Sequence, residues 1–216
     1  MQFDFTALDA ADRYKLMSAS ITPRPIAWVT TLSAAGVRNA APYSFFNMMS
    51  ASPPLVALGL MRRPDGSRKD TCANIIETGE FVVNLVAERD LDAMNFTCID
   101  APPGFDELAA GDIATEASVR VAPPRIASAP VSMECRVAHR IDVSDASTVV
   151  LGEVLTFHID DPLVDADRLH VDAVAMDLVA RMHGAGWYAR HPDMVRRDRP
   201  TFAAYSALRA DEDAAG

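Results

Sequence analysis

Residues 21–54, ITPRPIAWVTTLSAAGVRNAAPYSFFNMMSASPP, decide the fold. Pro23 and Pro25 bar helix, because proline lacks an amide donor and fixes its own φ. The run 26–32 then reads as a buried strand, apolar without helical spacing. Ser33-Ala34-Ala35-Gly36 is a hairpin turn in which Gly36 supplies the positive φ that such turns need. Residues 37–46 return as the partner strand. They close on Ser44-Phe45-Phe46-Asn47, where aromatic faces stand beside a hydroxyl and an amide, a mixture suited to a flat ring with polar edges. The same residues have an ordinary reading as a strand end with two core phenylalanines. Trp28, Thr30 and Thr31 likewise read as a core ring and two strand residues.

Working outward, Pro53-Pro54 ends the next loop and LVALGLM at 55–61 is a third strand. Arg63-Pro64-Asp65-Gly66 marks a turn. Asp70 or Thr71 then caps a short helix through Glu77, which Gly79 ends in the left-handed conformation. A β-branched strand covers 81–86, a helix 87–95, and a loop or lid 100–112. Residues 131–141 and 148–159 alternate well enough to pair. Upstream, 6–17 forms a short helix; downstream, 173–182 is a turn or short helix, and the terminal DEDAAG frays. Strands joined by hairpins, with few and short helices, predict a mainly β chain: a β-barrel with helical decoration. A doubly wound parallel sheet is second choice, because β-α-β does not recur regularly.

The 216 residues fit one domain spanning 1–216, with no internal repeat. The chain is 50% hydrophobic and 23% charged, ordinary for a folded protein. No apolar run reaches membrane-spanning length, and MQFDFTALDAADRYK lacks the basic and apolar regions of a secretory signal. Cys72, Cys98 and Cys135 form no CxxC pair and read as reduced thiols of a cytoplasmic protein. A formal charge of -10 disfavours nucleic acid. GxGxxG after a strand, GxxxxGK[ST], HExxH and GxSxG are all absent, and the histidines lie too far apart for a helical ligand pair, so no metal is expected.

Two groups of features remain. Arg62, Arg63, Arg68 and Lys69 crowd one loop, and Arg196, Arg197 and Arg199 another; each holds a small anion or is solvated surface. Lys69-Asp70-Thr71 offers a cation, a cap and a hydroxyl at a helix start, where the dipole favours phosphate. The same tripeptide is also a common cap and nothing more.

In order, TPRPIAWVTTLSAAG, NAAPYSFFN, SPP, the KDT of DGSRKDT, EFVVN, GEVLTFHID and ARMHGAGWYAR resemble the flavin reductase-like family of FMN-binding split barrels, over roughly residues 10–190, leaving a tail at 191–216. Within it the chain is most similar to reductase components of two-component flavin monooxygenases and related flavoproteins. The resemblance implies a six-stranded antiparallel split β-barrel with short flanking helices, a homodimer with FMN at its interface, and NADH or NADPH as electron donor. Reduced flavin would pass to an oxygenase partner. It implies that Ser44, Phe45, Phe46 and Asn47 line the isoalloxazine, that Lys69, Asp70 and Thr71 lie on the phosphate or ribityl side, and that Trp28 and Thr30 contact the ring or its tail. Arg181 and His183 would approach from the C-terminal segment. There the chain departs from the family, whose arginine is followed by an apolar residue and two glycines; here Met182 is followed by His183-Gly184. His183 either tunes the open face of the ring or points to solvent.

Overall fold

The computed structural model describes residues 1–184, 186–190, 194–203 and 205; the expected frayed tail at 211–216 lies outside them. Seven strands form one antiparallel sheet: β1 (Ala27–Leu32), β2 (Arg38–Tyr43), β3 (Phe46–Ala51), β4 (Pro54–Met61), β5 (Glu80–Leu85), β6 (Val131–Ser144) and β7 (Ser147–Ile159). Their spatial order is β2-β1-β5-β6-β7-β4-β3. Strands β2 and β3, adjacent in the chain, therefore stand at opposite edges, and residues 44–45 bridge them. The amide of Gly59 in β4 donates to the Phe45 carbonyl at 2.7 Å, stitching the two edges of the split barrel together.

The single return strand expected over 37–46 is thus two strands. The first ends at Tyr43, and Phe46 begins a strand that pairs with β4, Phe46 opposite Leu58. This break raises the strand count from the expected six to seven. The other ladders arise as the sequence suggests. Gly36 (φ 79°) turns β1 into β2, and every ladder of the sheet is antiparallel, which excludes the doubly wound alternative.

Short helices decorate the barrel, among them α1 (Ala10–Ser20), α2 (Asp70–Thr78), α3 (Leu91–Phe96) and α4 (Glu107–Ala110). Gly79, at φ 73°, closes α2 by donating to the Ile75 carbonyl. The last helix lies inside the stretch expected to be a loop or lid.

Strand β1 is buried on both faces, which explains its unbroken apolar run. Ala27 and Val29 pack inside the barrel with Leu58, Leu60, Ile75 and Phe81. Trp28 faces outward into a second cluster with Met94, Leu108, Ile126 and Val179. Alternation along one strand thus joins two cores, each large apolar side chain contributing about 1.5–3 kcal/mol by leaving water.

One buried charge pins a loop to the barrel. Glu134 of β6 is fully buried and accepts from the amides of Val119 (2.8 Å) and Arg120 (2.6 Å); its Oε1 lies 2.6 Å from His158 Nε2. Burial pushes its carboxyl up, but the Val119 amide, His158 and the Arg120 amide outweigh that and leave it below the ordinary glutamate value. A depressed carboxylate stabilises the fold above its unfolded value, and that contribution is lost as pH falls through the folded value. Glu134→Gln is expected to cost about 2 kcal/mol at neutral pH. It should also flatten the acid limb of stability, read by urea denaturation from pH 7 down to pH 3; an unchanged acid limb would contradict this.

Candidate functional site

A polar cavity of about 250 Å³ opens between β2, the start of α2 and the turn after α3. Asn39, Tyr43, Arg63, Lys69, Thr97 and Glu107 are among its lining residues. Helix α2 enters it unfinished: Lys69 is the N-cap and makes no side-chain capping bond. The first amides of a helix have no intrahelical partner, so an uncapped start presents donors and the positive end of the helix dipole. Asp70 does not fill that role, because its Oδ2 accepts from the Gly104 amide at 3.3 Å instead.

Behind the cavity lies a buried polar network. Asn39 Nδ2 donates to Thr71 Oγ1 (2.9 Å) and Thr31 Oγ1 (3.2 Å), and Asn74 Nδ2 donates to Thr31 Oγ1 (3.0 Å). Burial pushes the Tyr43 phenol up to about 12, partly opposed by its hydrogen bond with Thr71, so it stays neutral. Glu107 is buried and accepts from the Ala40 amide at 3.1 Å; burial raises its carboxyl. This network fixes the cavity wall before any ligand arrives.

Some cations of the chain are paired with carboxylates and others are not. Arg38, Arg125 and Arg136 pair with Asp106, Glu116 and Glu80. Among the described residues, Arg24, Arg63, Arg68, Lys69 and Arg181 have no carboxylate within 4 Å. Burial raises the Cys98 thiol on the cavity wall, and the charges of Arg181 and Lys69 pull it partly back, so both reach this site electrostatically. Arg181 also stands 4.8 Å over the Tyr188 ring and donates to the Gly184 carbonyl at 3.2 Å.

Residues 44–47 face a neighbouring cavity of about 520 Å³ beneath α1. The Ser44 hydroxyl accepts from Arg24 Nε at 3.3 Å, and Asn47 is exposed with its Oδ1 held by the Met48 amide. Phe45 is 41% exposed with its ring 6.3 Å from Tyr14, so it is no core residue, whereas Phe46 packs on the inner cluster. His183 is exposed and lies 5.8 Å from the Trp187 ring.

Two sequence-derived candidates lie elsewhere. Trp28 and Thr30 are fully buried. Trp28 Nε1 donates to Thr97 Oγ1 at 3.0 Å, and the Thr30 hydroxyl donates to the Pro124 carbonyl. Both point outward from the barrel under the loop layer, because even positions of β1 face away from the side that carries Ala27 and Val29. Their side chains have no surface left for a ring or its tail. Conversely, Asn39, Tyr43 and Glu107 on one cavity and Arg24 on the next carry no local sequence signal of a site; only the fold brings them there.

The flavin reductase like domain model matches residues 17–173. The chain belongs to that family. It is an oxidoreductase of flavin reductase-like function. An uncharacterized protein of Deinococcus radiodurans is 41% identical over 93% of this chain and 90% of its own. Among solved structures, the 2-nitrobenzoate 2-nitroreductase of Pseudomonas fluorescens is 35% identical with a TM-score of 0.85, covering 94% of this chain and 98% of that one. Nitrilotriacetate monooxygenase component B of Bacillus cereus is 32% identical, also at 0.85, covering 91% and 98%. Among the described residues, no helix is long and apolar enough to cross a membrane.

Proposed function

We propose that the chain is one flavin-binding domain that holds FMN and reduces it with NADH or NADPH. The observation that carries this is the pair of cations Arg63 and Lys69, which line the cavity at an uncapped helix start with no ion pair to a described carboxylate, on a protein of net charge -10. Such a donor set fits a phosphate-bearing ligand. Lys69, Arg63 and the first amides of α2 hold the phosphate, with Asn39 and Thr71 supporting the wall behind it. Ser44 and the backbone of 44–47 hold the polar edge of the ring. When bound, the flavin supplies the hydride-accepting chemistry. The chain's own part is binding and orientation, and no side chain need act as acid or base. Tyr43, kept neutral by burial, remains a donor at every working pH.

A second copy of the chain covers the apolar groove of about 810 Å³ lined by Met48, Leu55, Leu85, Val154, Phe157 and Met176, giving a homodimer. Its size and apolar lining support that assignment. The likeness to a monooxygenase component supports transfer of reduced flavin to an oxygenase partner. Purified protein should bind FMN, turn yellow and bleach anaerobically with NADH or NADPH; a colourless protein that oxidises neither defeats the proposal. Lys69→Ala should weaken FMN binding by about 1–3 kcal/mol, measured by flavin fluorescence quenching. Unchanged affinity would leave Lys69 as solvated surface.

A further inference from the structure

Arg24 is a buried charge without a counter-ion. It is 6% exposed and sits opposite Arg181 in a short ladder between Arg24–Pro25 and Ala180–Arg181. Its Nη1 donates to the carbonyls of Ser18, Ile21 (2.9 Å) and Met182 (2.8 Å), and its Nε donates to Ser44 Oγ. One guanidinium therefore clamps the end of α1 and the segment carrying Arg181 and His183 onto the crossover at Ser44. These carbonyl and hydroxyl dipoles hold Nη1 and Nε but cannot neutralise the charge, and Arg181, opposite it in the ladder, adds to it. Burial lowers its pKa, Tyr14 opposes that and Arg181 adds to it, yet a guanidinium remains protonated throughout the working range. Glu134, another buried charge, by contrast has two amide donors and His158. A clamp alone needs donors; it does not need an uncompensated charge.

We propose that Arg24 is a positioning residue whose unpaired charge supplies, beside Ser44, the positive potential that favours reduced over oxidised flavin. This rests on the reading of 44–47 as the segment against the ring. A flavin gains negative charge on reduction, and a nearby cation in a water-poor setting binds that form more tightly. The surplus affinity for the reduced form is a shift in midpoint potential, which a purely structural clamp would not produce.

The test is a dye-equilibrated anaerobic titration of the FMN-loaded protein. Arg24→Gln should reduce the preference for reduced flavin about tenfold, a shift of about 30 mV to more negative potential. Arg24→Lys, which keeps the charge, should retain the wild-type potential. Should Arg24→Gln fail to fold, Met17→Glu decides. Met17 is half-exposed on the same cavity as Arg24, so a carboxylate there adds a negative charge to that cavity without removing a clamp contact. Met17→Glu should lower the potential and Met17→Gln should not. Equal potentials in wild type and Arg24→Gln, or in Met17→Glu and Met17→Gln, overturn the inference while leaving the flavin reading intact. No FMN binding by the wild type overturns both.

Discussion

Trp28→Ala is expected to destabilise the protein by about 3–5 kcal/mol, the range for removing a fully buried large aromatic. The side chain is 0% exposed and sits at the centre of the outer cluster, between Met94 on α3 and Leu108 on α4. Truncation leaves a cavity that these short helices cannot collapse to fill, because each is tied by its own turns. It also removes the Nε1 donor to Thr97, whose hydroxyl donates to the Met94 carbonyl and which lines the polar cavity. Trp28→Phe keeps most of the volume and loses only that bond, so it should cost about 1 kcal/mol. Urea denaturation of both variants measures the difference. A loss below about 1 kcal/mol for the alanine variant would show that the ring is not a keystone of this layer.

The second large effect lies inside the barrel, at Gly152 of β7. A Cβ there would come within 2.3 Å of Phe81 Cζ and 3.3 Å of Cys135 Cβ. Phe81 is itself fully buried and packed against Leu58 and Ile75, so its ring has nowhere to retreat. Gly152→Val should therefore cost about 3 kcal/mol or more, at the upper end for overpacking. The paired variant Gly152→Ala with Phe81→Leu makes room and should recover much of that loss. If the pair is no more stable than Gly152→Val, steric conflict with Phe81 is not the cause.

The strands were legible because local chemistry sets them. Pro23 and Pro25, the Gly36 turn, the Gly79 cap and the alternation of 148–159 all act within a few residues. The break at Ser44 was not legible. Residues 37–51 carry no proline or glycine between Tyr43 and Phe46, and the reason for the break is the distant strand β4, which claims Phe46 as its partner. The site divides in the same way. Lys69, Asp70 and Thr71 share one helix start, so their convergence is written in sequence. Trp28 and Thr30 are close to the site in sequence but lie on the outward face of a strand covered by loops. Arg24 and Met182 are 158 positions apart, and nothing local announces their bond.

The strand order also fixes when the site comes into being. Hairpins β1-β2 and β3-β4 are made first, yet they occupy opposite edges of the sheet, and its ladders connect them only through β5, β6 and β7. The crossover at residues 44–45 joins two pieces that have no shared scaffold until the β6-β7 hairpin slots between β5 and β4. On a ribosome adding about 5–20 residues per second, that is a wait of roughly 5–20 s. During it the apolar edges of both early hairpins are open to wrong partners, and the long-range closure that follows belongs to the slow class of folding events. A flavin therefore meets a formed pocket only after the penultimate stretch of the chain has emerged, which makes cofactor capture a late event rather than a nucleus for folding.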